Sequence, residues 1–378
     1  MGIDRDYIIR IRRELHQVPE IGFELPRTLA IIRRELDAIG LPYREDFGTS
    51  SIVATLNEGR ERTIALRADT DALPVQEETG LPFASTIPGQ MHACGHDCHT
   101  AMLLGAAKTL KEMENQIRCS VAFVFQACEE GTGGAKGICQ DGFMENVEQI
   151  IACHITPDQP AGTVLIGQSC INASSHNFRI HLDGRAAHVA RPHLGVDAIA
   201  MAVRVYSDIQ IMRARELKPF DPVVIGIGEF HGGHTHNVIC DHVQMHGTVR
   251  ALSPDADEKV FRRMEEICQN VARDMGGKAR LEAYNYTPCV INDPQVRDRL
   301  RAASAQVVGP EHVKERPGSM GAEDFAFYLQ HKPGAMFSLG VAPDMDNPIP
   351  LHSGKLVIDE NALDLGAKIF VQFILNEM

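Results

Sequence analysis

Nine consecutive residues, Met91-His92-Ala93-Cys94-Gly95-His96-Asp97-Cys98-His99, carry three imidazoles, two thiols and a carboxylate. A thiolate at Cys94 and an imidazole at His96 can reach one small volume, because Gly95 lets the backbone turn without a Cβ penalty. The chemistry on offer is metal binding; the plainer account is a polar loop entering a helix. Further on, Cys128-Glu129-Glu130-Gly131-Thr132-Gly133-Gly134 sets two carboxylates side by side at the end of an apolar run. Glutamate is rarely buried without a partner, so these are either a solvated charge pair or part of a site. Asp69-Thr70-Asp71 closes another apolar segment, and single histidines stand at His154 and His352. A lone histidine is more often a hydrogen-bonding or surface group than a ligand.

The elements that must position these groups alternate in type. Helical spacing of Ile8, Ile11 and Leu15 predicts a helix over 6–17, and a second spans 27–39, ended by Gly40. Strands are expected at 51–56 and 63–68, the latter delivering Asp69-Thr70-Asp71 at its carboxyl end, where open α/β sheets gather ligand-binding groups. The Ala- and Leu-rich stretch 100–113 reads as a helix, which puts the histidine and cysteine run at a helix N-terminus, a place that favours a thiolate. The continuous apolar run 120–127 marks a strand buried on both faces. Another short strand, 149–153, leads to His154. This alternation predicts an α/β sheet with helices on its faces.

Near residue 171 the pattern changes. Residues 177–183 alternate strictly, as in a half-exposed strand. A helix over 196–217, strands at 223–228 and 243–249, and a helix from Ser253-Pro254 to 275 complete a small α+β insertion. Long helices and buried strands then return at 295–308, 323–330, 335–340 and 360–376. The expected division is 1–172 and 285–378 for the larger domain and 173–284 for the insertion.

Composition narrows the classes of function. The chain has 378 residues, of which 44% are hydrophobic, and a formal net charge of −13. The charge disfavours nucleic acid and anionic membranes, which reward clustered Lys and Arg, and leaves a small molecule as the expected ligand. No run of about 18 apolar residues suggests a spanning helix. The opening residues enter a charged helical pattern without a signal peptide's apolar region, so a cytoplasmic setting with reduced thiols is expected for the ten cysteines.

Taken in order, these segments resemble the M20 metallopeptidase and amidohydrolase family, in particular its aminoacylase-like branch of hippurate hydrolases, indole-acetyl-amino-acid hydrolases and N-acetyldiaminopimelate deacetylases. The resemblance runs through Arg13-Glu14-Leu15-His16 and Pro19-Glu20, Arg67 to Pro74, His92 to His99, Glu129-Glu130-Gly131, Gly184 to Ala198, Gly247-Thr248-Val249-Arg250, Gly321 to Phe325, and His352 to Asp359. It implies an α/β catalytic domain with a mixed sheet flanked by helices, and an inserted α+β lid that also forms a homodimer contact.

It further implies two divalent metal ions per subunit on Cys94, His96, Glu130, His154 and His352. The donor set suits zinc, and the family also works with manganese, nickel or cobalt. Glu129 matches the general base, swung toward the site by a turn expected at Gly131. Asp71 matches the carboxylate that orients the site, and His188 a histidine that steadies the oxyanion in the neighbouring subunit. Asn237 and Arg250 match lid residues near the substrate's acyl or carboxylate end, although Arg250 could equally be a surface strand residue. Three departures fall near the acyl pocket: Cys128 before the glutamate pair, Cys240 in place of a common proline, and Ala152-Cys153-His154-Ile155-Thr156-Pro157 without the usual glycine, leucine and aromatic residue around the histidine.

The expected function is metal-dependent hydrolysis of N-acyl amino acids or related small amide conjugates. The competing readings are a dipeptidase or aminopeptidase of the same family and a catalytically idle metal-binding protein.

Overall fold

The computed structural model describes residues 2–131 and 133–378. The chain divides into two compact units, one of residues 1–169, 291–317 and 324–378, the other of 170–290 and 318–323. These divisions fall a few residues from those expected at 172/173 and 284/285. Residues 318–323 join the second unit because Ser319 exchanges backbone hydrogen bonds with Ile171 and Ala173 at 3.0 and 2.9 Å.

The larger unit opens with α1 (Arg5–His16) and α2 (Pro26–Ile39). Asp4 starts α1 by accepting the Tyr7 N–H, and Ile8, Ile11 and Leu15 turn inward; Pro26 starts α2 and left-handed Gly40 ends it. There follow β1 (Tyr43–Arg44), β2 (Ile52–Leu56), β3 (Thr63–Asp69), α3 (His96–Glu112), β4 (Ser120–Gln126), α4 (Gly134–Gln140), β5 (Gln149–Pro160) and β6 (Val164–Leu165). The second unit supplies β7 (Cys170–Asn172), β8 (Ser174–Asp183), α5 (Ala198–Arg215), β9 (Val223–Gly232), β10 (His242–Ala251), α6 (Pro254–Met275) and β11 (Lys278–Thr287). After β12 (Val290–Ile291) come α7 (Pro294–Val308), β13 (Val313–Lys314), α8 (Ala326–Leu329), β14 (Gly334–Ala342) and α9 (Leu363–Asn376).

The sheet of the larger unit runs β1-β2-β4-β3-β5-β14-β6-β13. Its centre, β4-β3-β5-β14, is parallel, while β2 and β6 pair antiparallel to their inner neighbours. Every residue of β4 and β14 is buried, so these strands read as continuous apolar runs. The segment between β3 and β4 contains α3, whereas the chain leaving β4 crosses to the far side of β3 before entering β5. The loops at the carboxyl ends of β3, β4 and β14 therefore open around one crevice, the usual place for a ligand in an open α/β sheet.

In the second unit, β11-β8-β10-β9 form an antiparallel sheet. Phe178, Ile180 and Leu182 of β8 share a core with Val205 and Ile209 of α5 and Val260, Met264 and Ile267 of α6. The opposite face of the sheet carries Arg179, His181, Thr248 and Arg250, each with a buried side-chain nitrogen or oxygen lacking a hydrogen-bond partner. Among the described residues no helix is long and apolar enough to cross a membrane.

Four expectations change. Helix α3 begins at His96 rather than at 100, so His96 to His99 lie inside its first turn. Strand β5 continues to Pro160, because His154 and Thr156 keep pairing with Ser338 and Gly340, and His154 stands within the strand instead of just after it. The helix expected over 323–330 shrinks to one turn, since Asp324 points inward to Arg67 and Gln126. Strand β11 carried too weak an alternation to be read, with charged residues on both sides of Leu281.

Candidate metal centre

Gly95 makes the site possible. Its φ of 87° is left-handed, and an added Cβ would lie 2.2 Å from Ile155 Cδ1, so no side chain fits between Cys94 and His96. The turn leaves Cys94 at the end of a loop and His96 as the first residue of α3, both buried. A second backbone tie brings in the loop after β14, where the N–H of His352 donates to Ala93 at 2.8 Å.

Among the described residues the ligand-type atoms gather into five groups of three, two of which contain only residues of the implied ligand set. Cys94, His96 and His154 place one donor atom each within 4.8 Å of one another, and so do Cys94, Glu130 and His352. Together these are the five residues that the family resemblance implies as ligands, and Cys94 belongs to both groups. Cys94 Sγ is 3.4 Å from His154 Nε2, and His352 Nε2 is 3.3 Å from Glu130 Oε1. Two donors bound tetrahedrally at about 2.0–2.3 Å from one ion stand roughly 3.3–3.8 Å apart, so the spacing fits. His96 Nε2 adds a further sign: it is buried without a hydrogen-bond partner, with Asp69 Oδ2 at 3.8 Å and Glu130 Oε1 at 4.0 Å. Those separations are too long for hydrogen bonds and leave a buried donor aimed at a space that an ion suits.

The electrostatics are those of a crowded site, buried at Cys94 and His96 and open at His352. Burial pushes the Cys94 thiol well above its usual range. The thiolate expected from the helix terminus is thus not set by the helix, and a cation must displace that proton. Burial, with His99 alongside, lowers His154 to about 3 and keeps its ring neutral at physiological pH. Burial acts to raise the Glu130 carboxyl, but the bond from His352 and the charge of His96 bring it down to about 2.

The paired glutamates are turned by a different residue from the one expected. Gly131 does not adopt a left-handed φ; Cys128 does, at 57°, a conformation that costs a non-glycine residue about 1–3 kcal/mol. The turn aims two successive N–H groups, of Glu129 and Glu130, at the two oxygens of Asp71, at 3.0 and 3.2 Å. Asp71 Oδ1 also lies 3.4 Å from His96 Nδ1, so one carboxylate joins the loop after β3, the loop after β4 and the start of α3. The Glu129 carboxylate comes within 4.8 Å of donor atoms on His96 and Glu130, and its Oε1 accepts from the Asp324 N–H at 3.4 Å.

The remaining members of the histidine and cysteine run have other duties. Asp97 binds Arg12 at 2.8 Å and His16 at 2.7 Å. His99 lies near Asp69 and His96 in a third group of potential ligands, but its Nδ1 meets Asp69 at 2.5 Å and its Nε2 accepts from Ile155 N–H at 2.9 Å. With both nitrogens engaged it has none for an ion.

Sequence reading missed Arg67 and Asp324. Arg67 is fully buried and bonds Asp69, Gln126 and Asp324 at 2.7, 2.9 and 2.9 Å. A guanidinium in the middle of an apolar strand was the available signal, since a buried charge demands partners.

In the second unit an isolated bridge pairs His188 with Val238, and the Val189 N–H donates to the Asn237 carbonyl at 3.1 Å, so His188 and Asn237 lie on neighbouring segments. Both are exposed. Arg250 stands on β10 with a buried Nη1 that no acceptor meets.

The family model for peptidase family M20/M25/M40 matches residues 65–376. The chain is 36% identical over 369 residues to the IAA-amino acid hydrolase ILR1-like 4 of Arabidopsis thaliana, across 96% of this chain and 84% of that one. It is 36% identical over 361 residues to N-acetyl-L-cysteine deacetylase of Bacillus subtilis, across 94% and 84%. Among solved structures, the YXEP protein of Bacillus subtilis, described as a dinuclear metal binding peptidase from the M20 family, matches with a TM-score of 0.85 at 30% identity, covering 99% of this chain and 98% of that one. Fold, donor set and relatives together define a metal-dependent amidohydrolase. The chain belongs to peptidase family M20/M25/M40.

Proposed function

We propose that the protein hydrolyses the amide bond of an N-acyl amino acid or a related small amide conjugate, using two divalent ions held by Cys94, His96, Glu130, His154 and His352. The observation that carries this reading is the pair of three-donor groups meeting at Cys94 with the Glu129 carboxylate beside them. Zinc, manganese, nickel and cobalt all suit the donors. When bound, such ions polarise the scissile carbonyl and make water acidic enough to attack near neutral pH.

The chain's own groups do the rest. Glu129 takes a proton from the attacking water and hands it to the departing amine, acting first as base and then as acid. Asp71 holds the glutamate turn and His96 in register. His188, acting from the neighbouring subunit of a homodimer, steadies the oxyanion, a contribution of about 10²–10³ in rate. Arg250 receives the substrate's carboxylate, a role supported by its unmet Nη1, and Asn237 flanks the acyl end. All ten thiols are free, in keeping with a cytoplasmic setting.

Support for the dimer comes from the lid. Ile199, Val203 and Tyr206 form an exposed apolar stripe on α5, and edge strand β9 adds Val224 and Phe230. An edge strand with apolar neighbours is a surface that natural proteins usually cover. Sedimentation should show a dimer for the native chain, and Val203→Glu should yield monomers with sharply reduced turnover. A monomer as active as the native protein would remove the cross-subunit role of His188.

The decisive assay is a metal-supplemented hydrolysis panel of N-acetyl and N-benzoyl amino acids against unblocked dipeptides. The blocked amides should be cleaved at least tenfold faster in kcat/KM, equivalent to about 1.4 kcal/mol of transition-state discrimination. Preference for free α-amino groups would instead make the protein a dipeptidase or aminopeptidase. A metal-loaded chain inert across the panel would make it an idle binder.

A further inference from the structure

Ile155 follows the proposed ligand His154, and all of its bonding groups are engaged around the metal centre. Its carbonyl lies 2.6 Å from His154 Nδ1, which must carry the proton of that bond and so leaves Nε2 bare, 3.4 Å from Cys94 Sγ. Its side chain fills the space that a Cβ on Gly95 would need, beneath the turn that carries Cys94 and His96. Its N–H donates to His99 Nε2 at 2.9 Å.

The last of these bonds has its origin in the sheet. Strands β3 and β5 pair only as far as Arg67 opposite Ala152, after which β3 ends at Asp69. Past that point β5 lacks its neighbour, and the Ile155 N–H would be a buried donor without an acceptor. A side chain substitutes for the missing strand: His99 accepts the Ile155 N–H and donates its Nδ1–H to Asp69 Oδ1 at 2.5 Å. Asp69 is held in turn by Arg67 Nη1 at 2.7 Å, and Arg67 continues to Asp324, whose N–H meets Glu129. His99, Asp69, Arg67 and Asp324 are all buried, which holds the ring in one orientation.

We propose that His99 is a positioning residue of the metal centre: clamped between Asp69 and the Ile155 peptide, it sets the aim of His154 Nε2 and the seat of the Gly95 turn without touching ion or substrate. The proposal rests on the two-ion reading given above.

His99→Leu and His99→Gln test it, because a glutamine amide can offer an N–H to Asp69 and an oxygen to Ile155 whereas leucine offers neither. Zinc affinity is read by competition with a chelating dye, alongside kcat and KM. Native protein should bind two zinc ions per chain. His99→Leu should weaken zinc binding about 10–100-fold, the usual cost of losing a group that orients a ligand, and lower kcat with little change in KM. His99→Gln should recover most of both losses. Native affinity and kcat in His99→Leu, or a His99→Gln chain no better than it, would overturn the proposal. If circular dichroism shows that His99→Leu does not fold, Asp69→Asn takes its place, since asparagine cannot accept from both His99 and Arg67; unchanged zinc affinity there would overturn it equally. A native chain holding only one zinc would remove the two-ion reading, and the positioning role would then be decided by that single ion's affinity in the same variants.

Discussion

Glu129→Gln is expected to keep its metal content and lose about 10²–10⁴-fold in kcat, the range attributed to a positioned general acid–base. The substitution is nearly isosteric. Its amide oxygen can still accept the Asp324 N–H that meets Glu129 Oε1, and the backbone N–H that Asp71 holds is untouched. The proposed ligands, with Glu130 next door among them, all remain. What disappears is the ability to accept a proton from water and return it to the amine. Metal analysis and steady-state kinetics on the same preparation separate the two effects. A variant with native turnover would remove Glu129 from the reaction; one that lost both metal and activity would show it to be a ligand.

Removal of the ions should be the larger perturbation. Protein dialysed against a strong chelator is expected to fall to background hydrolysis and to regain activity when zinc, manganese, nickel or cobalt is returned. The thermal midpoint should drop as well, because an ion that binds only the folded chain stabilises it by about 4 kcal/mol when present at about 1,000 times its dissociation constant. The pH dependence has a definite sign. The Cys94 thiol, raised by burial, holds its proton at neutral pH in the ion-free site, so loading must release a proton. Affinity should therefore rise with pH and fail on acidification, and a pH indicator in weakly buffered solution should record proton release on titration with zinc. Full activity after exhaustive chelation would refute a metal-dependent mechanism.

Much of the site was legible because its chemistry is concentrated in short runs. Cys94, Gly95 and His96 announce themselves by type and spacing, and Glu129-Glu130 by their place at the end of a buried strand. Asp71 was readable from its position just beyond β3. The rest depends on what the backbone does in three dimensions. Nothing local marks Cys128 as the left-handed residue, since the neighbouring glycines are better candidates on conformational grounds. Arg67 and Asp324 are 257 residues apart, and a pairing that distant leaves no periodic trace. His99 stands outside the ligand set that the resemblance implies, and only the early end of β3 shows how both of its nitrogens are spent. Strand β5 was cut short because its second half is polar, its pairing fixed by β14 rather than by its own pattern.

The neighbour that completes β5 is made late. β5 ends at Pro160 and β14 begins at Gly334, with the whole second unit between them. At a synthesis rate of about 5–20 residues per second, β5 waits roughly 10–35 s for that strand. Throughout that interval the nascent chain displays an apolar, hydrogen-bond-hungry edge, the kind of surface that recruits other chains. His352 arrives later still, so an ion captured early would find Cys94, His96 and His154 in place but no imidazole opposite Glu130. The order of synthesis thus leaves the sheet unfinished until β14 emerges, and makes the metal centre one of the last features to mature.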